Sequence, residues 1–493
     1  MKKLFIGLGS ILLITVVGLT IFPQLLYLFS FTQKWALKME GEQSALFYFK
    51  NNQKDSLYMK GVIYSGTYTD LTQKLNEHPS ITTLVMEEVP GSIDDEVNLK
   101  VSREIRSNNI NTYIPKNGWV ASGGTDMFLA GKKRQIAISA KLGVHSWADM
   151  EKTATDYPKE DSSHTKYLEY YKEMDIPTDF YWYTLQAAPA DGIHWMTPIE
   201  INTFKVVTPS LNLNQLLENQ KVLASDEYAG RGTGNNLKAQ DLIRNHFKKN
   251  KLLTFSNNYN HSFSFKNENT HKIDNGTNII GYIKGKKYPN QYIVIGAHYD
   301  HLGIINRTVY NGADDNASGT SALLTLASYF SKNKPNYSII FAAFDAEELG
   351  LWGSRNFVKE PPIPLKQIKI NFNFDMISRN PNNEIYVVGT HYYPQFKSGI
   401  ENIIQYHPEL TISFGHDDPN DKQKDYWMES SDNAPFFKNN IPNITFSEED
   451  HPDYHKHTDD IDNTNPEFYK NVVVLIKNTI HVFDSNLLIE NND

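Results

Sequence analysis

The chain opens with an apolar segment, and two regions with different patterns of apolar and polar residues follow. Residues 4–22 carry no charge, and the first charged residue after Lys3 is Lys34. About 20 consecutive apolar residues are enough to cross a bilayer as a helix. We therefore expect residues 1–31 to form a transmembrane anchor, with a cleaved signal segment as the alternative. The lysines that precede the segment favour a cytoplasmic start.

Residues 32–207 alternate short strand-like runs with helical stretches. Residues 56–64 (SLYMKGVIY) and 81–89 (ITTLVMEEV) are typical of strands, and residues 95–108 (DEVNLKVSREIRSN) are typical of a helix. This alternation predicts an α/β domain. The pattern changes near Thr208, so a second domain is expected over residues 208–493.

In the second domain, three continuous apolar runs each end at a residue able to bind a metal. Residues 292–297 (YIVIGA) lead into His298, residues 338–344 (SIIFAAF) into Asp345, and residues 368–374 (IKINFNF) into Asp375. Continuous apolar runs are typical of strands covered on both faces. Ligands of open α/β sheets bind at the carboxyl ends of the strands, which is where these residues fall.

Composition narrows the chemistry that is available to such a site. The 493 residues have 40% hydrophobic and 21% charged residues, which is typical of a globular protein. The net charge of −9 argues against a nucleic-acid-binding protein. The chain has no cysteine, which excludes disulfides, thiolate zinc sites and a cysteine nucleophile. A metal must therefore be held by His, Asp and Glu.

Five residues of these types are the candidate metal ligands: His298, Asp315, Glu348, Asp375 and His455. Two imidazoles and three carboxylates can hold two ions if one carboxylate bridges them, and they suit Zn²⁺ as well as Mn²⁺ or Co²⁺. Paired ions of this kind occur in hydrolases. Glu347, beside Glu348, is then free to act as general base. Asp300 is placed to accept the second ring N–H of His298.

The sequence segments that surround these residues match the motifs of one protein family, and they occur in the same order along the chain as in that family. They are residues 229–234 (AGRGTG), 277–285 (TNIIGYIKG), 296–303 (GAHYDHLG), 311–319 (NGADDNASG), 343–354 (AFDAEELGLWGS), 373–377 (NFDMI) and 452–460 (PDYHKHTDD). From about residue 210 onward, the chain resembles the co-catalytic di-zinc aminopeptidase family, which includes bacterial leucyl aminopeptidases and glutamate carboxypeptidase. The resemblance implies a mixed-sheet α/β zinc-peptidase domain.

The resemblance also implies how the five ligands are divided. His298 and Asp375 would bind one zinc ion, Glu348 and His455 the other, and Asp315 would bridge the two. Two Zn²⁺ ions are therefore the expected cofactor.

Other site residues follow from the same resemblance. Glu347 matches the general base, and Tyr454 matches a residue that donates a hydrogen bond to the tetrahedral intermediate. A cis peptide bond is implied between Asp315 and Asn316. Three further histidines are expected to surround the site or lie at the surface rather than bind metal: His301, His451 and His457.

The first domain carries a second resemblance. It rests on residues 60–63 (KGVI), 84–97 (LVMEEVPGSIDDEV), 117–134 (NGWVASGGTDMFLAGKKR), 141–145 (KLGVH) and 194–208 (HWMTPIEINTFKVVT). These segments are similar to the Clp-protease and crotonase-like family. The resemblance implies an α/β domain of that type over residues 32–207, one that often assembles into oligomers.

In that family a serine opens a helix and a histidine follows about two dozen residues later. Ser122 and His145 match this pattern as nucleophile and base, 23 residues apart. The backbone N–H groups of Gly91 and Gly123 would form the oxyanion hole, and Asp191 is the nearest candidate for a third member. Alternatively, Ser122 only caps the helix, or the domain binds peptide or mediates oligomerisation without catalysis.

The whole pattern predicts a membrane-anchored zinc exopeptidase, an aminopeptidase, that acts on peptides. We expect it at the bacterial cell membrane as a single-pass protein with its catalytic domains outside, or else secreted. The alternatives are a non-catalytic binding or scaffold protein on a peptidase fold, a zinc acyltransferase of the glutaminyl cyclase type, and a serine peptidase that uses Ser122 and His145. A homo-oligomer through the first domain is also expected.

Overall fold

The computed structural model describes residues 23–50, 54–149, 152–267 and 270–485. The chain divides into two compact units between Ser210 and Leu211. The apolar segment 4–22, on which the anchor prediction rests, lies outside the described residues. Among the helices of the described ranges, none is both long enough and apolar enough to cross a bilayer.

The N-terminal unit is built from short strands and helices. Its strands are β1 Leu46–Tyr48, β2 Ser56–Lys60, β3 Thr83–Val89, β4 Asn111–Ile114, β5 Trp119–Ala121, β6 Arg134–Ile136, β7 Lys141–Val144 and β8 His194–Trp195. Its α-helices are α1 Pro23–Met39, α2 Thr67–Glu77, α3 Asp95–Ser107, α4 Gly123–Leu129, α5 Ser162–Glu173, α6 Thr178–Ala187 and α7 Pro198–Thr203. The strand and helix types predicted at residues 56–64, 81–89 and 95–108 are confirmed.

These strands form one mixed sheet of eight strands within the described residues. The main path runs β1-β2-β3-β5-β7-β8, and β4 pairs with β3 and β6. The pairs β1–β2 and β7–β8 are antiparallel and the rest are parallel. Ala121 of β5 is in register with Gly143 of β7, so the residues after these strands emerge at the same edge.

The C-terminal unit has longer strands and one long helix. Its strands are β9 Asn260–Lys266, β10 Ile273–Ile283, β11 Tyr288–His298, β12 Gly303–Ile305, β13 Thr308–Tyr310, β14 Tyr337–Phe344, β15 Ile368–Phe374, β16 Glu384–Val388, β17 Thr411–Phe414 and β18 Asn443–Ser447. Its α-helices are α8 Leu213–Leu223, α9 Leu237–Lys249, α10 Gly319–Lys332, α11 Trp352–Lys359, α12 Pro394–Ile404, α13 Asn433–Lys438 and α14 Pro466–Asp484.

The larger sheet of this unit has the order β17-β16-β18-β15-β11-β14-β10-β9. Its centre is parallel: β11 pairs with β14 and β15, and β15 pairs with β18. The edge pairs β9–β10 and β10–β14 are antiparallel. Every residue of β14 is buried, since helices cover the sheet. Both units are therefore mixed α/β, as the sequence predicts.

Candidate functional site

Three neighbouring parallel strands deliver the first residues of the site. His298 is the last residue of β11, and Asp345 and Asp375 follow directly after β14 and β15. Because these strands run in the same direction, their carboxyl ends share one edge of the sheet. The three apolar runs identified in the sequence are these strands, and their ends converge as expected.

One group of candidate ligands forms around His298. Its Nε2 atom lies 3.3 Å from Asp375 Oδ1 and 3.5 Å from Asp315 Oδ1. The ring is oriented from its other side, where Nδ1 donates to the main-chain carbonyl of Asp300 at 3.2 Å. Nε2 is therefore the nitrogen that faces the carboxylates.

A second group forms around His455. Its Nε2 atom lies 3.1 Å from Glu348 Oε2 and 3.3 Å from Asp315 Oδ2. The Tyr454 ring stacks on the His455 ring with centroids 3.9 Å apart. Asp315 thus directs Oδ1 to one histidine and Oδ2 to the other, which is the arrangement of a bridging carboxylate. The peptide bond after it, Asp315–Asn316, is cis, as the resemblance implies.

Asp300 has a different contact from the one expected from the sequence. Its Oδ1 is 3.7 Å from His298 Nδ1, beyond hydrogen-bond distance. The carboxylate instead accepts the backbone N–H groups of Glu347 and Glu348, at 3.1 and 3.3 Å. The difference arises because the loop after β14 reaches over Asp300, which no local sequence pattern shows.

The site concentrates negative charge in the interior. Burial raises the pKa of Glu347 well above its ordinary value, opposed by His298 and reinforced by Glu348. Hydrogen bonds to Asp315 and Glu348 raise the pKa of His455 to about 10. Asp432 is fully buried, and burial raises its pKa to about 7. Buried carboxylates stay ionised only when positive charge lies close to them, so this cluster requires bound cations or protonated groups.

The residues fit a pair of zinc ions. The ligand atoms of His298, Asp315 and Asp375 all lie within 4.8 Å of one another, and so do those of His301, Asp315 and Glu348. Two ligands at about 2.0–2.1 Å from a tetrahedral zinc ion are about 3.3 Å apart. The four histidine-to-carboxylate separations of the two groups, 3.1, 3.3, 3.3 and 3.5 Å, match this value.

Comparison with known proteins relates the C-terminal region to one peptidase family. Residues 278–480 match the family model described as Peptidase family M28. The C-terminal region contains a Peptidase family M28 domain. Over 110 residues, 21% of this chain, the sequence is 39% identical to the glutamate carboxypeptidase 2 homolog of Caenorhabditis elegans. Over 114 residues, 22% of this chain, it is 40% identical to aminopeptidase YwaD of Bacillus subtilis (strain 168).

The matched parts are short in comparison with the relatives. The alignments span 13% and 24% of the lengths of these two proteins. Among solved structures, BSAP, a zinc aminopeptidase from Bacillus subtilis, aligns with a TM-score of 0.43 and 17% identity, over 57% of this chain and 97% of that one.

In the C-terminal unit, sequence reasoning missed the residues that hold the Asp315 loop. Arg231 is fully buried, and its guanidinium donates to five main-chain carbonyls, among them those of Asp315 (3.3 Å) and Gly312 (2.8 Å). Asp459 accepts the backbone N–H groups of Asp314 and Asp315. Both residues lie in motifs quoted above, but their partners are distant in sequence.

The other histidines near the M28 site differ from one another. His451 Nε2 lies 3.4 Å from Asp314 Oδ2, and the His457 ring packs against Tyr310. Among the described residues, no hydrogen bond or ion pair joins either of them to a candidate ligand. His301 is buried, with Nδ1 at 2.7 Å from Glu348 Oε1. Its position three residues after His298 is the only sequence signal for this contact.

In the N-terminal unit, Ser122 and His145 follow the adjacent parallel strands β5 and β7. Ser122 stands at the N-cap position of α4 with φ 56° and ψ −132°, and its side chain makes no capping hydrogen bond. A Cβ placed on Gly91 would lie 3.1 Å from Ser122 Oγ, so the Gly91 backbone lies against the hydroxyl.

The acid whose charge influences the pKa of His145 differs from the one expected. Burial lowers the pKa of His145, while Asp95 is the carboxylate that raises it. Asp95 accepts hydrogen bonds from Ser92 Oγ and the Tyr167 hydroxyl, both at 2.7 Å. Asp191, the residue expected from the sequence, is exposed. Asp95 was missed because it lies at the start of α3, outside the expected order of residues.

Proposed function

We propose that this protein is a zinc-dependent aminopeptidase that uses two metal ions, with Glu347 as its general base. The observation that carries the proposal is the division of the Asp315 carboxylate between His298 and His455. His298, Asp375, Glu348 and His455 would complete the two ligand sets. Zinc bound there supplies Lewis-acid activation of water and of the substrate carbonyl.

The residues of the chain then carry the proton transfers. Glu347 takes the proton of the attacking water as the new C–O bond forms, and it returns the proton to the amine as the peptide C–N bond breaks. Its carboxylate lies within electrostatic reach of His298, Glu348 and Asp375, which are candidate ligands of both proposed ions. Asp300 fixes the loop that bears Glu347 through the two backbone hydrogen bonds.

Two more features support an exopeptidase. The Tyr454 ring stacks on that of His455, and its hydroxyl would donate to the tetrahedral intermediate. The site is strongly acidic, with the exposed Asp450 within electrostatic reach of Asp375 and His455. An acidic entrance attracts the positively charged amino terminus of a peptide.

The test compares the full-length protein with Glu347→Gln on matched peptides with free and N-acetylated amino termini. We expect amino-acid release only from the free peptides and its loss in Glu347→Gln. Glu360→Gln, at an exposed glutamate of the same region, is the matched control and should keep full activity. Unchanged activity in Glu347→Gln would overturn the assignment, and a zinc-loaded protein without peptidase activity would favour a binding role.

A second hydrolytic centre in the N-terminal unit is the alternative, with Ser122 as nucleophile and His145 as base. It is favoured by the left-handed φ of Ser122, because a non-glycine residue is held in such a conformation only by its surroundings. The Gly91 and Gly123 N–H groups would stabilise the oxyanion. Activity that survives Glu347→Gln and disappears in Ser122→Ala would establish this alternative.

The anchor and the assembly state complete the proposal. Residues 1–31 would hold the protein in the bacterial cell membrane with both units outside, or would direct secretion. The N-terminal unit, as a Clp- or crotonase-like domain, would form a homo-oligomer. Fractionation of cells that express the full chain tests the location in the membrane. Light scattering of the purified protein tests the homo-oligomer.

A further inference from the structure

His301 has a fixed place between two parts of the M28 site. Its side chain is fully buried, and its backbone N–H donates to the Arg231 carbonyl at 3.3 Å. A Cβ placed on Gly312 would lie 2.4 Å from the ring, so the backbone of that glycine packs directly on the imidazole. The ring can therefore turn little.

The ring meets the second group of ligands through one nitrogen. Nδ1 lies 2.7 Å from Glu348 Oε1 and 3.6 Å from Asp315 Oδ2. Nε2 is buried and has no hydrogen-bond partner in the described part of the chain. Since an ionised carboxylate only accepts hydrogen bonds, Nδ1 is the donor of this contact.

The distances separate a ligand from a hydrogen-bond donor. Two ligands of one tetrahedral zinc ion are about 3.3 Å apart. His455 Nε2 lies 3.1 Å from Glu348 Oε2, close to that value, whereas the 2.7 Å between His301 Nδ1 and Glu348 Oε1 is a hydrogen-bond length. The two oxygens of Glu348 thus have different neighbours.

We infer that His301 is a positioning residue for the second metal site, not a ligand of it. It donates to Oε1 of Glu348 and so turns Oε2 towards His455 and the metal. A free glutamate side chain has several rotamers. The hydrogen bond selects one of them before the metal binds, so metal binding does not carry the entropic cost of ordering this side chain. The inference rests on the proposed two-metal function and adds the residue that orders one of its sites.

The test measures metal binding to the full-length apo-protein by competition with a zinc chelator of known affinity. In the wild type we expect two zinc ions per chain. In His301→Ala we expect one of the two dissociation constants to rise 10–100-fold. His301→Asn keeps an N–H donor near the Nδ1 position, so its affinities should return towards those of the wild type.

Double variants show which site is affected. Adding His301→Ala to His298→Ala, which retains the second site, should weaken the remaining zinc further. Adding it to His455→Ala, which retains the first site, should change the remaining affinity by less than 3-fold. The retained first site also shows that the variant has folded.

Three results have distinct meanings. Equal zinc affinities in His301→Ala and the wild type would overturn the inference. Equal losses in His301→Asn and His301→Ala would also overturn it, because a ligand rather than a donor would then have been removed. A wild-type protein that binds no zinc at all would instead overturn the proposed function.

Discussion

The carboxylate of Asp300 accepts the backbone N–H of Glu347 at 3.1 Å. Its second oxygen faces the backbone N–H of Glu348 at 3.3 Å, and its own main-chain carbonyl accepts from His298. One residue therefore connects the end of β11 with the loop after β14. The proposed base and a ligand of each proposed zinc ion depend on this connection for their relative positions.

Asp300→Asn should lower kcat by about 10–100-fold with a smaller effect on KM, because the amide NH₂ cannot accept one of the two backbone N–H groups. Steady-state kinetics on a free peptide, with zinc content measured in parallel, check the expectation. Asp241→Asn, at an exposed aspartate, is the matched control. An unchanged kcat in Asp300→Asn would show that the loop is held by other contacts.

Arg231→Met should destabilise the C-terminal unit by about 3 kcal/mol or more, since it leaves five buried carbonyls without their donor. Arg231→Lys should also destabilise it, because an ammonium has three donors. Urea denaturation measured by circular dichroism gives the change in unfolding free energy. The exposed Arg355→Met is the control, and a comparable loss there would remove the special role of Arg231.

Asp126→Asn should make the N-terminal unit less sensitive to pH. Burial raises the pKa of Asp126 to about 7, and the Tyr171 hydroxyl donates to Oδ1 at 2.7 Å. A raised folded-state pKa means that the folded unit holds the proton more tightly. Its contribution to stability is complete below about pH 4 and is lost as the pH rises through about 7.

The measurement is the urea midpoint between pH 5 and 8, followed by tryptophan fluorescence. Over this range the wild type should lose up to about 1.4 kcal/mol per pH unit from this group, and Asp126→Asn should remove that part of the slope. Asp179→Asn, at an exposed aspartate of the same unit, should leave the slope unchanged. Parallel slopes for Asp126→Asn and the wild type would contradict the prediction.

Ser122→Gly should raise the melting temperature of the N-terminal unit, because glycine adopts φ 56° without the strain of a side chain. A gain of about 1 kcal/mol is expected, whereas Ser122→Ala should give none, since alanine meets the same restriction. Differential scanning fluorimetry compares the three proteins. A melting temperature that is lower in Ser122→Gly than in Ser122→Ala would show that the serine conformation is not strained.

Much of the site could be predicted because short segments of the sequence are enough to identify the strands that carry its residues. His298, Asp345 and Asp375 each stand at the end of a continuous apolar run, and a buried strand can be identified from that run alone. The parallel arrangement of such strands then brings their ends together. The structure brings the five candidate ligands together in two groups that share Asp315.

In the N-terminal unit, the local sequence pattern predicted the elements but not all of the contacts between them. The strand and helix types could be predicted, and Ser122 and His145 do follow adjacent strands. The acid whose charge raises the pKa of His145 could not be predicted, since Asp95 lies about 50 residues earlier in the chain, at the start of α3. The hydrogen bonds that orient it come from Ser92 and Tyr167, which no motif relates.

By itself the sequence determined the mixed α/β class, the candidate ligands and the absence of cysteine chemistry, because residue type and strand periodicity are properties of short segments. Only the tertiary structure decided that Asp300 holds the Glu347 loop and that His301 contacts Glu348. It also decided that Arg231 supports Asp315. These contacts join residues that are distant in sequence, and their distances depend on how the strands and loops pack, which no local pattern specifies.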